Sequence, residues 1–237
     1  MPRFYIPNTT FQIGEEVVLP QESVHHAMRV LRMRDGDEAE LFDGRGTSAK
    51  GTIHFAKDFA SVKVLGTTVA PENSLRIVLL QSLVSNEKMD WIIEKACELD
   101  VSEVIVFPAD RSEVKLAADK LSKRMERWHK IVVSACKQCK RSSLLTVSWL
   151  SSLQDFDARP IQKNFILMPS AHFSEQNKDK VESVSFVIGP EGGLSPREIN
   201  LLEEKGFKPQ QLGKLVFRTE TAGIVAASYA HTLWDWK

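Results

Sequence analysis

Two segments carry the residue types best suited to holding a ligand. The first, Val187-Ile188-Gly189-Pro190-Glu191-Gly192-Gly193, is an apolar run that opens into a glycine-rich loop. Glycine lets backbone amides approach a bound group closely, and ligands collect at strand ends in open α/β sheets. The G-x-G-x-x-G spacing of a dinucleotide site is missing, and no Gly-Lys-Ser/Thr follows to make a phosphate loop. The segment reads either as a ligand cradle or as a tight strand-helix turn. The second runs from Leu212 through Gly213-Lys214-Leu215-Val216-Phe217 to Arg218-Thr219-Glu220-Thr221-Ala222. It reads as a strand ending just before a helix, with Thr219 or Thr221 as cap and Glu220 favourable to the helix dipole. Arg218 would then offer a cation able to make paired hydrogen bonds at a strand end, beside the glycine loop.

Other reactive residues are less organised. Cys136-x-x-Cys139 has no second ligand pair and falls on a helix face, which argues against zinc and redox chemistry. His25-His26 lacks carboxylate or cysteine companions in sequence, so no metal site is expected there. Net charge is zero, with 31 basic and 31 acidic residues, but the charges are uneven. Residues 111–141 hold ten Lys/Arg against three acids, and His25 to Arg34 holds three arginines, two histidines and no acid. Such local fields can grip phosphates by releasing counterions, or they can be solvated helix faces.

The elements that must position these residues follow from periodicity. The 237 residues, 43% hydrophobic and 26% charged, suit a globular chain with a real core. No apolar run reaches the roughly 18 to 20 residues of a membrane span. The N-terminus lacks the pattern of a secretory signal, and three cysteines suit a reducing cytoplasm. Residues 1–70 read as a small β-rich barrel, with polar-apolar alternation at Glu38 to Phe42 and Ser61 to Leu65 between glycine turns. Residues 71–74 read as a linker, and 75–237 as strand-helix alternation around a largely parallel sheet. Buried strands are expected at Arg76 to Gln81, Glu103 to Phe107, Asn164 to Met168 and Ser185 to Ile188. Helices are expected around Met89 to Leu99, from Asp119 to Lys140, and from Thr221 to Leu233, the last rich in small residues. Ser195-Pro196-Arg197-Glu198 spells a capping box with proline at the first helical position, and Gly206 supplies a stop.

Taken together, the Gly189 to Gly193 loop with Ser195 and Glu198, then Leu212-Gly213 and Arg218-Thr219-Glu220-Thr221-Ala222, resemble the ribosomal small-subunit methyltransferase E family. These are rRNA uridine-N3 methyltransferases of the SPOUT class. The similarity continues at Lys88 to Ala96, at Glu103 to Lys115 with Arg111-Ser112, and at His26, Val30 to Arg34 and Leu41 to Gly46. It thus spans nearly the whole chain in the expected order.

The resemblance implies a trefoil-knotted α/β methyltransferase domain of SPOUT type preceded by a small PUA-like β-barrel. A knot departs from the rule that chains do not thread their own loops, so periodicity could not have shown it. It also implies S-adenosylmethionine as donor, 16S rRNA of the small ribosomal subunit as partner, a homodimer, and neither membrane nor metal. The donor would lie against Met168, Gly189, Pro190, Glu191, Gly192, Gly193, Leu212, Gly213, Val216, Phe217, Arg218, Thr219, Thr221 and Ala222. Arg218, or Arg141 of the partner subunit, would favour the uridine N3 anion, and Glu191 or Glu220 would take the proton or orient the donor. RNA would meet His26, Arg29, Arg32, Arg34, Arg45, Arg111, Lys137 and Arg141. The sequence departs from the family pattern at Lys137, where a glutamate is usual, and at Leu144-Leu145, where a proline is missing; Ser85 also replaces a nearby lysine. None of these changes touches the donor loops. Two other readings compete: an assembly factor that keeps the fold without activity, and a methyltransferase of the same class with another RNA target.

Overall fold

The computed structural model of the chain describes residues 1–57, 59–71, 74–156, 161–171 and 180–236. Glu72 and Asn73 of the expected linker lie outside them. The chain divides into two compact units, one of residues 1–72 with 133–144, the other of residues 73–132 with 145–237.

The first unit is a five-stranded sheet. Its strands are β1 (Arg3–Tyr5), β2 (Glu16–Val18), β3 (Glu38–Phe42), β4 (Thr47–Phe55) and β5 (Ala60–Val69), in the order β1-β3-β4-β5-β2. β1 runs parallel to β3, and the other pairs are antiparallel. The alternation expected from sequence is present in β3, where Ala39 and Leu41 are buried and Glu38 is exposed. Phe4, Leu41, Ile53, Val62 and Val64 fill the core behind these strands. Gly51 sits where the β4–β5 register shifts, and a Cβ there would stand 2.1 Å from the Lys63 carbonyl oxygen. Only glycine lets the two backbones approach so closely.

The basic stretch after β2 forms α1 (Gln21–His25) and one π-helical turn, His26–Val30. Ala27 is the buried anchor of that turn, while Arg29, Arg32 and Arg34 are exposed. Residues 133–144, the end of a later helix and the turn after it, group with this unit.

The second unit is built on β6 (Arg76–Ser82), α2 (Asn86–Glu98), β7 (Glu103–Phe107), α3 (Ala118–Cys139), β8 (Thr146–Trp149), β9 (Lys163–Leu167), β10 (Ser183–Ile188), α4 (Pro196–Glu204), β11 (Lys208–Gln210) and α5 (Thr219–Trp234). α3 lies in this unit up to residue 132. The six strands are all parallel, in the order β11-β9-β10-β6-β7-β8. All four strands expected from sequence are present within two residues. Both faces of the sheet are covered, as near-continuous apolar strands require. Val78, Leu80, Ile105, Phe107, Ile166 and Val187 pack one core with Leu202 and Phe207. On the other face α5 comes close because it is small: a Cβ on Gly223 would lie 3.4 Å from Leu79 Cδ1.

The strand expected over residues 212–217 does not form. β11 comes earlier, at Lys208–Gln210, and the chain then runs as a loop to α5. Leu215 and Val216 are 80% and 73% exposed, so the run that looked like a strand has no sheet to join. Gly213, at φ +72°, bends the backbone away from extended geometry. Nor does Thr219 or Thr221 cap α5; Arg218 occupies the N-cap position with extended backbone, because the Thr219 hydroxyl is used elsewhere.

The capping box at α4 is present in full. Ser195 N donates to Glu198 Oε2 (2.8 Å) and Glu198 N to Ser195 Oγ (3.2 Å). Glu198 also accepts from Asp110 N through Oε1 (2.9 Å), and Ser195 Oγ donates to Asp110 Oδ2 (2.6 Å). A local helix start thereby anchors the loop after β7.

Candidate functional site

A cavity of about 550 Å³ opens at the carboxyl ends of β9, β10 and β11. Three loops line it: Met168-Pro169 after β9, the glycine loop after β10, and the segment between β11 and α5. Of the residues expected at a donor site, Met168, Gly189, Pro190, Glu191, Gly193, Leu212, Val216, Phe217, Arg218, Thr219 and Ala222 are on its wall. Gly192 is not; its carbonyl accepts from Arg111 Nη1 (3.2 Å), and Arg111 fills the space a side chain would need. Gly213 supports the loop from outside the wall, with the Phe217 ring packed against it. Thr221 lies in the first turn of α5, its N–H bonded to Arg218 O (2.9 Å).

Residues that periodicity did not single out complete the cavity. Leu194 and Ile199 come from the start of the α4 region, Gln210 and Gln211 from the end of β11, and Leu215 from the loop. Lys88, in the first turn of α2, reaches in from the far side. It stood in a motif quoted for the family resemblance, but nothing in its local sequence marked it as part of this site.

Lys88 binds two carboxylates at the rim. Its Nζ lies 2.6 Å from Glu191 Oε1 and 3.5 Å from Glu220 Oε2. The Glu191 hydrogen bond raises the pKa of the Lys88 ammonium, and the same bond holds the Glu191 carboxyl below its usual range against a smaller opposing effect of burial. A carboxyl depressed in the folded state adds stability above its unfolded value, about 4.3, and loses it as pH falls through the lowered folded value. Lys88→Met is expected to move the Glu191 midpoint up, because it removes the largest lowering effect and leaves burial opposed only by the backbone hydrogen bond. A ¹³C titration of the Glu191 side chain checks this; an unchanged midpoint would mean the pair is not formed in solution.

The residues expected to meet RNA fall mostly in the first unit. His26, Arg29, Arg32 and Arg34 are exposed around the π-helical turn, with Arg32 in left-handed backbone at φ 53°. Arg45 is held in place, donating to Thr9 O (3.1 Å) and lying 3.5 Å from Asp43 Oδ2. Lys137 and Arg141 are half-buried in the 133–144 segment of the same unit. Burial pushes the Lys137 ammonium below its ordinary pKa, partly offset by Glu22. Arg111 belongs to the second unit, exposed beside the glycine loop.

Sequence reasoning missed Arg3. It is 7% exposed and binds the 133–144 segment through the Cys136 and Arg141 carbonyls and Ser142 Oγ. A side-chain hydrogen bond with the Cys136 thiol, and then burial, push the pKa of the free Cys139 thiol far up, the reverse of a reactive cysteine. Among the described residues no three His, Cys, Asp or Glu converge as metal ligands, and no helix is long and apolar enough to cross a membrane.

Comparison with known proteins gives this arrangement its relatives. A family model described as an RNA methyltransferase domain matches residues 71–231, and one described as an RNA methyltransferase PUA domain matches residues 19–65. The ribosomal RNA small subunit methyltransferase E of Bacillus subtilis is 34% identical, over 96% of this chain and 95% of that one. A crystal structure of the enzyme of that name from Neisseria gonorrhoeae, bound to S-adenosyl methionine, covers 100% of both chains at 30% identity and a TM-score of 0.88. A Legionella pneumophila structure in complex with the bound cofactor SAM covers 97% of this chain and 96% of that one, at 32% identity and a TM-score of 0.87. With both of its segments matched in order and relatives of that identity along nearly its whole length, the chain belongs to the ribosomal RNA small subunit methyltransferase E family.

Proposed function

We propose that this protein transfers a methyl group from S-adenosylmethionine to N3 of a uridine in the 16S rRNA of the small ribosomal subunit. The observation that carries the reading is the cavity. Two segments distant in sequence, both singled out by residue type, meet at the carboxyl ends of parallel strands and enclose a volume of about 550 Å³. Ligand sites of this kind run from about 300 to 1,000 Å³. The cavity's residues fit the donor: Leu212, Val216 and Phe217 offer apolar surface to a flat base, the Gly189–Gly193 backbone offers polar groups, and Glu191 offers a carboxylate to a positive centre. When bound, the sulfonium supplies an activated methyl group.

The protein's remaining task is to align the nucleophile and favour its anion, since the uridine imide must lose a proton. Among the described residues two cations line the cavity, Lys88 and Arg218. Lys88 is held by Glu191 and Glu220, so Arg218 is the cation available to a developing negative charge. The same ion pair makes Glu191 a weaker base, and assigns it to orienting the donor rather than taking the proton. Arg141 of the partner subunit remains the other candidate for the cation.

This reading takes residues 1–70 as the PUA-like RNA-binding module, 71–74 as the linker and 75–237 as the methyltransferase domain, in the cytoplasm. It also carries a trefoil-knotted chain path and a homodimer. Exposed Leu215 and Val216 on a cavity loop support the dimer, being apolar surface that a second copy would cover. Light scattering is expected to give twice the chain mass; a monomer at micromolar concentration would remove the partner's Arg141 from the mechanism.

Arg29, Arg32 and Arg34 are proposed to bind phosphates. Removing any one is expected to weaken RNA binding across sequences and to reduce the slope of log K against log salt by about 1. Titrations at several salt concentrations check this, and an unchanged slope would return these arginines to a solvated face.

The deciding experiment supplies labelled S-adenosylmethionine and small subunits lacking the modification, then identifies the product nucleoside by mass spectrometry. The expected product is 3-methyluridine. A different methylated nucleoside would keep the enzyme class and change the target. Donor binding without transfer to any RNA would favour an assembly role.

A further inference from the structure

We infer that Gln81 is a positioning residue for the methyl-donor site, setting the direction of a buried hydrogen-bond chain that ties the two cavity loops together; this rests on the donor site proposed above. Gln81 is the next-to-last residue of β6, opposite Ile188 of β10, and is 0% exposed. Its Nε2 donates to Thr219 Oγ1 (3.1 Å) and to the Ser82 carbonyl (3.1 Å). Thr219 Oγ1 in turn donates to the Gly189 carbonyl (2.7 Å). Gly189 and Thr219 begin the loop after β10 and the helix after the second loop, and both line the cavity.

The direction of this chain follows from what each group can do. A carbonyl only accepts, so the single Thr219 proton belongs to Gly189 O and a Thr219 lone pair faces Gln81. Gln81 must therefore present its amide nitrogen. Turned over, the amide would set its oxygen against the Ser82 carbonyl and draw the Thr219 proton away from Gly189.

A second observation points the same way. Gln81 Oε1 is buried and has no hydrogen-bond partner among the described residues. It lies 3.8 Å from where a Cβ of Gly223 would stand, in a helix otherwise packed with alanines. A buried amide left half-satisfied is unfavourable, and an apolar side chain of the same size would avoid that penalty. Stability alone does not account for glutamine here, whereas holding Thr219 and Gly189 in register does.

The test uses the full chain and S-adenosylmethionine binding by calorimetry, alongside thermal unfolding. Gln81→Met keeps the volume and removes both donors; donor affinity is expected to fall about tenfold, as loss of a buried hydrogen bond implies. The loss should fall mainly on KM for the donor rather than on kcat. Gln81→Glu gives a readout that a purely structural role would not move. A neutral carboxyl can still donate to Thr219, whereas a carboxylate can only accept and competes with Gly189 O for the Thr219 proton. Burial raises that carboxyl's pKa, so the affinity ratio of the variant to wild type should fall as pH rises through it. Thr219→Val should weaken binding as Gln81→Met does, and the double variant should be no worse than either. Wild-type affinity in Gln81→Met, or a pH-independent ratio in Gln81→Glu, would overturn the inference. Should Gln81→Met fail to fold, the pH dependence of Gln81→Glu decides alone. Wild-type protein that does not bind the donor would instead overturn the underlying reading of the site.

Discussion

Arg218→Ala is expected to slow methyl transfer by about 10²–10³-fold, the loss typical of one electrostatic group aimed at developing charge. Donor binding should change far less, and the unfolding temperature should barely move. The structure gives reasons for that selectivity. Arg218 is the N-cap residue of α5, but its side chain makes no capping bond, so alanine removes none. Its backbone, at φ −65° and ψ 154°, is open to any residue, and its carbonyl keeps the bonds from Thr221 and Ala222 N (2.9 Å each). The side chain is exposed on the cavity wall and makes no hydrogen bond or ion pair among the described residues. What alanine takes away is charge at the site. Lys88 cannot substitute for it while bound to Glu191 and Glu220. Arg218→Lys should recover part of the rate, since a point charge stabilises an anion without the planar fork. Single-turnover measurements with saturating donor and RNA separate the steps. A full rate at normal affinity would dismiss Arg218, and Arg141 of the partner subunit would become the candidate.

Local signals read well from this sequence and long-range ones did not. The capping box at Ser195 is visible because its two bonds lie within four residues. β7 is visible because a run buried on both faces is almost wholly apolar. Leu215-Val216-Phe217 misled for the same reason: an apolar run looks like a strand whether or not a neighbour exists to pair with it. β11, with the sequence Lys-Pro-Gln, has no apolar pattern and exists only because β9 accepts it at the sheet edge. The cavity loops were legible from their glycines and their Arg-Thr-Glu-Thr run. The groups that brace them were not, because Lys88 lies 103 residues from Glu191 and Gln81 lies 138 from Thr219. The basic stretch from 111 to 141 was read as one feature, yet the structure divides it between two units after residue 132. Within it Arg127 is already held by both oxygens of Asp90, so charge count overstates what RNA can use.

Arg3→Met is expected to cost about 3–5 kcal/mol, the usual penalty for removing one partner of a buried ion pair. At roughly 2–4 °C per kcal/mol for a chain of this size, the unfolding temperature should fall by about 6–20 °C. Nothing in the sequence around Arg3 announces this, since one arginine near the N-terminus ordinarily lies in solvent. Here its side chain is 3% exposed, with Glu40 at 15% directly across the β1–β3 pair. Nε lies 3.2 Å from Glu40 Oε2, aligned for charge attraction rather than for a directed hydrogen bond. Both terminal nitrogens are engaged: Nη1 donates to Cys136 O (2.9 Å) and Arg141 O (3.2 Å), Nη2 to Ser142 Oγ (3.0 Å). The guanidinium also lies 4.7 Å over the Phe42 ring. Methionine would fill much of the volume but leave Glu40 charged and unpaired and two carbonyls without their donor. Lysine should not rescue it, because one ammonium cannot reach a carboxylate, two carbonyls and a hydroxyl in a fixed fork. Glu40→Gln on the Arg3→Met background should recover part of the loss by removing the stranded charge. The functional consequence falls on the end of α3 and the turn after it, which carry Lys137 and Arg141 and which Arg3 grips at Cys136, Arg141 and Ser142. RNA affinity of Arg3→Met, measured below its unfolding temperature, should therefore drop while donor affinity holds. An unfolding temperature within 1 °C of wild type would show that this network is not formed in solution.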